Sequence, residues 1–295
     1  MATPGTTNAT TNATTRERPV RLAVLGSPIS HSKSPALHRA AYGRLGLGWR
    51  YDAIEVGSGE LAGFLDRVRG DADAAWRGLS LTMPLKHEVL AHLDGADRLV
   101  ELAGAANTVR FADDGTLQGF NTDIGGIVRT LGEADLRRVH RGVLIGSGAT
   151  ASSALVAIAE LGAAEVDVLV RNPDRAVGVE ELGRRLGLVV RVRPLAELAD
   201  AASADLVVST VPGGSDLGIA PSDALAGTAL LLDVAYDPWP SALATAWLER
   251  DGRVTHGLGM LLHQALLQVR IFASGDPFEP LPDEDGVLDV MRRSL

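Results

Sequence analysis

The sequence predicts an α/β protein whose strands run parallel, with helices covering both sheet faces. Three features carry that expectation. Short β-rich runs alternate with helical stretches from Val20 onward, and a glycine-rich turn joins one such strand to an Ala-rich helix. In addition, 46% of the 295 residues are hydrophobic, which supplies a substantial core; the length suggests about two domains.

Taken in order, residues 1–18 are mostly Thr, Ala and Asn without an apolar period. Their burial would not offset the entropy of ordering them, so a disordered tail is expected. Strands are expected at Val20–Leu25, Tyr51–Val56, Gly78–Thr82, Thr108–Phe111, Gly142–Ile145, Glu165–Val170, Leu188–Val192, Leu206–Thr210 and Leu230–Val234. Helices fill the gaps near Pro35–Leu45, Gly59–Arg69, Thr122–Leu131, Ala149–Leu161, Pro173–Leu186 and Ser241–Arg250. A boundary is expected near Asn121–Arg141, where a long helical stretch gives way to Arg137, Arg138 and Arg141 and a new strand begins. A second lies near Gly257, because the helix Leu258–Phe272 follows the last strand of the second unit.

Composition excludes several classes of function. Without cysteine there is no disulfide framework, thiolate nucleophile or Cys-type zinc site. The seven histidines form no His-Glu-x-x-His or similar spacing, so no metal is expected. A net charge of −9 and a pI near 5.3 argue against a general nucleic-acid binder, which needs a basic surface to displace counterions. Apolar runs such as Ala229–Leu232 are too short to span a bilayer, and no basic stretch followed by an apolar core opens the chain. Neither membrane insertion nor secretion is expected, the Asn-x-Thr triplets at Asn8 and Asn12 carry no expectation of glycosylation, and the expected location is the cytoplasm. Of 28 basic residues only Lys33 and Lys86 are lysine.

Val143-Leu144-Ile145 runs into Gly146-Ser147-Gly148-Ala149-Thr150-Ala151, the Gly-x-Gly-x-x-Gly/Ala turn of a Rossmann unit. Its first glycine permits a tight turn, the second lets backbone approach a pyrophosphate, and a small third residue lets the helix pack close to the strand. Amides at the helix N-terminus then hold the anion. The next strand ends in Val170-Arg171-Asn172-Pro173-Asp174-Arg175. Arg171 stands where NAD enzymes place an acid, with Arg175 one turn on, and two guanidiniums suit a 2′-phosphate. NADP is therefore preferred over NAD, with Asp174 as the counter-signal.

Four polar clusters lie at loop positions beside strands, where α/β proteins gather ligands. The first is Gly26-Ser27-Pro28-Ile29-Ser30-His31-Ser32-Lys33-Ser34-Pro35, in which Ser34 reads as a helix cap and the row of hydroxyls as a carboxylate site. The others are Ser80-Leu81-Thr82-Met83-Pro84-Leu85-Lys86, Gly104-Ala105-Ala106-Asn107-Thr108 and Gly119-Phe120-Asn121-Thr122-Asp123. Together and in this order they resemble the shikimate dehydrogenase family. The likeness continues through Asp205–Pro212, Asp233–Pro238 and Gly257–Ala265, covering Arg21 to Gly275.

That resemblance implies an N-terminal α/β substrate-binding domain (19–123 with 258–295), a Rossmann NADP-binding domain (124–257), and C-terminal helices returning to the first domain. It implies reversible NADPH-dependent reduction of 3-dehydroshikimate to shikimate, in aromatic amino-acid biosynthesis, by a monomer or homodimer. Ser32 and Ser34, helped by Tyr236, are similar to the family's carboxylate-binding groups. Thr82, Lys86, Asn107, Asp123 and Gln264 are similar to those holding the ring hydroxyls, with Lys86 and Asp123 the catalytic dyad. On the cofactor side the resemblance adds Thr210, Val211, Pro212, Val234, Gly257 and Met260 to the glycine turn, Arg171, Asn172 and Arg175. Departures are Arg39 and Ser80, each where Asn is common, Ala149-Thr150 in place of Gly-Ala, and Ser209 in place of Asn. None removes a dyad member.

The chemistry asks for such a pair. Reduction of a ketone creates an alkoxide, which needs a nearby positive charge and a proton. An ammonium supplies both, whereas a guanidinium gives up a proton poorly. Which dyad member formally transfers the proton stays open. Two other readings compete: an NAD-dependent quinate/shikimate dehydrogenase, and a non-catalytic sensor of a shikimate-like ligand. Lys33 is expected to face solvent, His263 to pack or face solvent, and Met260 to join the core.

Overall fold

The computed structural model describes residues 18–295. The tail expected over 1–18, with Asn8 and Asn12, lies outside the described residues apart from Arg18. The first part runs β1 (Val20–Gly26), α1 (Ser34–Leu45), β2 (Arg50–Glu55), α2 (Leu61–Arg69), β3 (Ala75–Leu81), α3 (Leu85–Glu88), β4 (Gly95–Ala96), α4 (Arg98–Ala103), β5 (Thr108–Phe111) and β6 (Leu117–Phe120). Then come α5 (Asp123–Glu133), β7 (Arg141–Ile145), α6 (Ala149–Glu160), β8 (Glu165–Val170), α7 (Val177–Arg185), β9 (Val189–Pro194) and β10 (Leu206–Ser209). The chain closes with α8 (Asp223–Thr228), β11 (Leu230–Asp233), α9 (Ala242–Leu248), β12 (Arg253–His256), α10 (Gly257–Ser274) and α11 (Glu284–Arg292).

Two six-stranded sheets result. The second has the order β12-β11-β10-β7-β8-β9 and is parallel throughout. From β7 the chain moves outward through β8 and β9, then crosses to β10 on the other side. The carboxyl ends of β7 and β10 therefore form the crevice where strand order reverses, which is where such sheets bind ligands. Strands buried on both faces need near-continuous apolar runs, and Val143-Leu144-Ile145 and Leu206-Val207-Val208 supply them.

The first sheet, β2-β1-β3-β5-β6-β4, is mixed. It departs from the parallel expectation because β5 and β6 form an antiparallel hairpin, and β5 pairs antiparallel to β3. The turn Asp113-Asp114-Gly115, with Gly115 at φ 85, makes the reversal, and Asp114 accepts from the Thr116 amide. This turn is a local signal for β6, which the alternation pattern alone does not reveal. The four-residue β12 and the short α3, α4 and α8 carry too little periodicity to be read, and the helix expected over Pro173–Leu186 opens with a separate 3-10 turn at Pro173–Ala176.

α10 returns to the first sheet. Leu262, Leu266, Val269 and Phe272 share a core with Leu22 and Val24 of β1 and Leu37 and Tyr42 of α1, joined by Val287 and Met291 of α11. α5 faces the other way: Ile124, Ile127 and Leu131 pack with Leu144, Ala154 and Val208, and Met260 joins them. The N-terminus of α5 and one face of α10 thus lie between the two sheets.

His38 is fully buried inside this core, stacked on Tyr51 with ring centroids 3.9 Å apart. Its Nδ1 faces Tyr42 Oη and its Nε2 faces Gln268 Oε1, each at 3.1 Å. Burial pushes the imidazole from 6.5 down to about 3, with the Gln268 hydrogen bond opposing. Between those values the unfolded chain binds a proton that the folded chain refuses. Stability attributable to His38 is complete above pH 6.5 and is lost progressively as pH falls toward 3. At pH 5 the loss amounts to about 2 kcal/mol. Urea melts of wild type and His38→Asn at pH 7 and pH 5 measure it: the gap between the two proteins narrows by that amount at pH 5.

Candidate active site

Four chain segments meet at the carboxyl ends of β1 and β3, the start of β5 and the N-terminus of α5, with α10 across the top. They enclose a cavity of about 260 Å³. All eight residues expected to hold substrate line it: Ser32, Ser34, Thr82, Lys86, Asn107, Asp123, Tyr236 and Gln264. The expectation that Ser34 caps α1 is not met. Ser34 is the first residue of the helix, Lys33 holds the cap position, and no side chain caps the end. The Ser34 amide instead meets Ser32 Oγ at 3.3 Å. Helix capping therefore does not consume the Ser34 hydroxyl, which stays on the cavity wall beside Ser32. Tyr236, in the loop after β11, also lines the cavity; burial raises its hydroxyl pKa, so it remains a neutral donor.

Lys86 and Asp123 form an ion pair, Nζ donating to Oδ2 at 2.7 Å, with side chains 12% and 5% exposed. A charge this buried must be paired or its desolvation is uncompensated. The remaining carboxylate oxygen, Oδ1, accepts from Asn107 Nδ2 at 2.8 Å. The Asp123 amide is held by Asn121 Oδ1 at 3.1 Å, fixing the first turn of α5. Each carboxylate oxygen thus has a donor, and the carboxylate orients the amine and balances its charge. Lys86 Nζ also reaches Thr150 Oγ1 of α6 at 3.5 Å, so the amine stands where the two sheets' ligand crevices join.

The second crevice is larger, about 790 Å³, and runs along the carboxyl ends of β7, β8 and β10. Gly146, Ser147, Gly148, Ala149, Thr150, Ala151, Arg171, Asn172, Arg175, Thr210, Val211 and Pro212 line it. Gly146 sits at φ 117, where a side chain would be strained, and an added Cβ would lie 2.3 Å from Thr210 Oγ1. Gly148 differs: its φ is −89 and nothing lies within 4 Å of the Cβ an alanine would carry. The protein itself makes no demand for glycine there, but a group seated on the α6 amides would. Asn172 accepts from the Asp174 amide at 3.0 Å, ending β8 in a tight turn that sends Arg171 and Arg175 to the crevice while Asp174 does not line it. These features fit a dinucleotide carrying an extra phosphate on its ribose.

A model of the shikimate dehydrogenase substrate binding domain matches residues 24–109. The shikimate dehydrogenase (NADP(+)) of Rubrobacter xylanophilus is 36% identical over 261 residues, spanning 86% of this chain and 90% of that protein. The chain belongs to the shikimate dehydrogenase family. Within that family the crystal structure of the Mycobacterium tuberculosis enzyme is 38% identical, with a TM-score of 0.79 over 93% of this chain and 100% of the other. The Thermus thermophilus enzyme, solved in complex with NADP(H) and shikimate, is 33% identical with a TM-score of 0.77 over 94% of this chain and 100% of the other.

Three residues expected on the cofactor side, Val234, Gly257 and Met260, line the smaller cavity instead, next to Thr150 and Lys86. Met260 is 7% exposed and also belongs to the core, as expected. Lys33 does not simply face solvent, since its Nζ is 3.4 Å from the main-chain oxygen of Leu295. His263 is buried, 3.1 Å from Glu133, and takes no part in the cavity. Ser80, which the sequence places in a polar cluster without a role, and Gln268, which sequence reasoning missed, both stand on the cavity wall. Gln268 follows Gln264 by one helical turn and so shares its face, a spacing that identifies it in retrospect. Among the described residues no helix is long and apolar enough to cross a membrane, and no three His, Asp or Glu side chains gather as metal ligands.

Proposed function

We propose that this chain is an NADP-dependent shikimate dehydrogenase, reducing 3-dehydroshikimate reversibly to shikimate in aromatic amino-acid biosynthesis. The observation that carries the reading is the buried Lys86–Asp123 pair at the junction of the two crevices, within 3.5 Å of Thr150 on the glycine-turn helix. Ser32, Ser34 and Tyr236 hold the substrate carboxylate, and Asn107, Gln264 and Thr82 the ring hydroxyls. The hydride for the carbonyl carbon would come from NADPH held in the larger crevice. Lys86 meets the charge that then develops on the oxygen and donates the proton, while Asp123 keeps the amine aimed and charged. The α6 amides at Gly148–Thr150 hold the pyrophosphate, and Arg171 and Arg175 the 2′-phosphate.

The same reading divides the labour between a substrate unit, 19–123 with 258–295, and a nucleotide unit, 124–257. It places the enzyme in the cytoplasm as a monomer or homodimer, acting on small molecules rather than on nucleic acid or membrane.

Steady-state rates with shikimate and with quinate, each against NADP and NAD, test the reading. The shikimate–NADP pair gives the highest kcat/KM, and the loss of two guanidinium contacts makes NAD weaker by roughly 10²-fold or more, as charge-assisted hydrogen bonds are worth about 1.5–3 kcal/mol each. Dominant activity with quinate and NAD would overturn it in favour of an NAD-dependent quinate/shikimate dehydrogenase, and binding without turnover in favour of a sensor.

A further inference from the structure

Behind the dyad lies a buried line of hydrogen bonds that starts on α1 and ends at Asp123. Its members, His38, Gln268, Thr108, Asn107 and Asp123, are each at most 4% exposed, so water cannot replace any one of them. Two main-chain groups in the line have only one possible role, and they settle every orientation along it. The Thr122 amide can only donate. The Asn107 atom facing it at 2.9 Å is therefore Oδ1, which leaves Nδ2 for Asp123 Oδ1. The Asn107 carbonyl can only accept. The Gln268 atom facing it at 3.3 Å is therefore Nε2, which also donates to Thr108 Oγ1 at 3.0 Å.

The rest follows by exclusion. Thr108 Oγ1, already accepting from Gln268, gives its own proton to Asn107 Oδ1 at 2.9 Å. Gln268 Oε1 turns the opposite way and accepts from Ser80 Oγ at 2.8 Å and from His38 Nε2 at 3.1 Å. His38 thus carries its proton on Nε2 and accepts from Tyr42 on Nδ1. Donation runs in one direction throughout, from His38 to Gln268, Thr108, Asn107 and Asp123, and each bond polarises the next.

We infer that Thr108 and Gln268 are positioning residues for the reaction: they aim the Asn107 amide at Asp123 and so hold the Lys86–Asp123 pair on the substrate oxygen. Neither needs to touch the reacting atoms. Gln268 Nε2 also pins α10, the helix bearing Gln264, to the Asn107 carbonyl at the start of β5. One side chain therefore sets the spacing of Asn107 and Gln264, whose side chains meet at 3.3 Å on the substrate cavity. The inference rests on the functional reading above and goes beyond it by assigning work to residues outside the expected site.

Thr108→Val is the test, because it keeps the shape and removes only the hydroxyl. In steady-state assays of the full chain with shikimate and NADP, kcat falls on the order of 10²-fold, the cost of misplacing a catalytic group by about 1 Å, while KM for NADP stays at the wild-type value. Thr108→Ser restores the rate, which recovery of packing alone would not do. Gln268→Met is the second variant, showing the same split between kcat and KM, and it carries the test if the valine variant does not fold. Wild-type kcat in both Thr108→Val and Gln268→Met, or a Thr108→Ser enzyme as impaired as the valine variant, overturns the inference. Wild-type turnover is the control that separates the two levels: its absence overturns the functional reading itself, whereas its presence beside unimpaired variants overturns this inference alone.

Discussion

Lys86→Ala lowers the rate of shikimate oxidation by about 10²–10⁴-fold, the usual worth of a positioned proton donor, while shikimate still binds. The lysine stands in α3 with its Nζ 2.7 Å from Asp123 Oδ2, and alanine removes both the proton and the charge that balances that carboxylate. Asp123, 5% exposed in the intact pair, keeps only Asn107 as side-chain donor, so the protein is also destabilised, by up to about 3–5 kcal/mol as for other broken buried pairs. Single-turnover hydride transfer, calorimetric shikimate binding and a thermal melt separate the three effects. Lys86→Arg sharpens the result: a guanidinium restores the ion pair and the melting temperature but not the rate, since it releases a proton poorly. Unchanged turnover in Lys86→Ala would refute the role assigned to this amine.

Gly148→Ala raises KM for NADP by roughly 10- to 100-fold, the loss of one or two hydrogen bonds to a charged group, with little change in stability. Its φ of −89 suits any residue, and the added methyl meets no protein atom within 4 Å. Stability changes by less than about 1 kcal/mol, because a modest entropic gain in the unfolded chain offsets a weaker helix cap. The methyl instead occupies the approach to the α6 amides, where the pyrophosphate is held. Gly146→Ala is the contrasting variant. There φ is 117 and Thr210 Oγ1 lies 2.3 Å from the new Cβ, so folding suffers along with binding. Comparing melting temperature with KM for the two variants distinguishes a glycine required by the chain from one required by a ligand. An unchanged KM in Gly148→Ala would mean that the cofactor does not approach this turn.

Much of the arrangement is legible in the sequence because it is local. The Val143–Ile145 strand, the glycine turn and the Ala-rich helix are successive residues whose backbone preferences agree, and they appear in the fold as β7, Gly146–Gly148 and α6. The four polar clusters are legible for the same reason, each being a short loop beside a strand. Reading stops where local rules leave a choice. Ser34 followed by Pro35 satisfies the pattern of a helix cap, yet the helix begins one residue earlier and leaves the hydroxyl on the cavity wall. Gln268 looks like one more helical residue until β5 is packed against it.

Residue type and spacing alone determined that this chain builds a nucleotide crevice at one strand–turn–helix, that Arg171 rather than an acid follows the next strand, and that one of only two lysines, Lys86, lies just past a strand end. Tertiary structure alone decided that Lys86 and Asp123, 37 residues apart, meet at 2.7 Å, that Thr150 joins them from α6, and that β5 and β6 reverse direction in the first sheet. Backbone preference and periodicity act over a turn or a strand, so they write the parts into the sequence. The meeting of parts depends on burying two sheets' apolar faces against α5 and α10 at once, and no local run of residues encodes that condition.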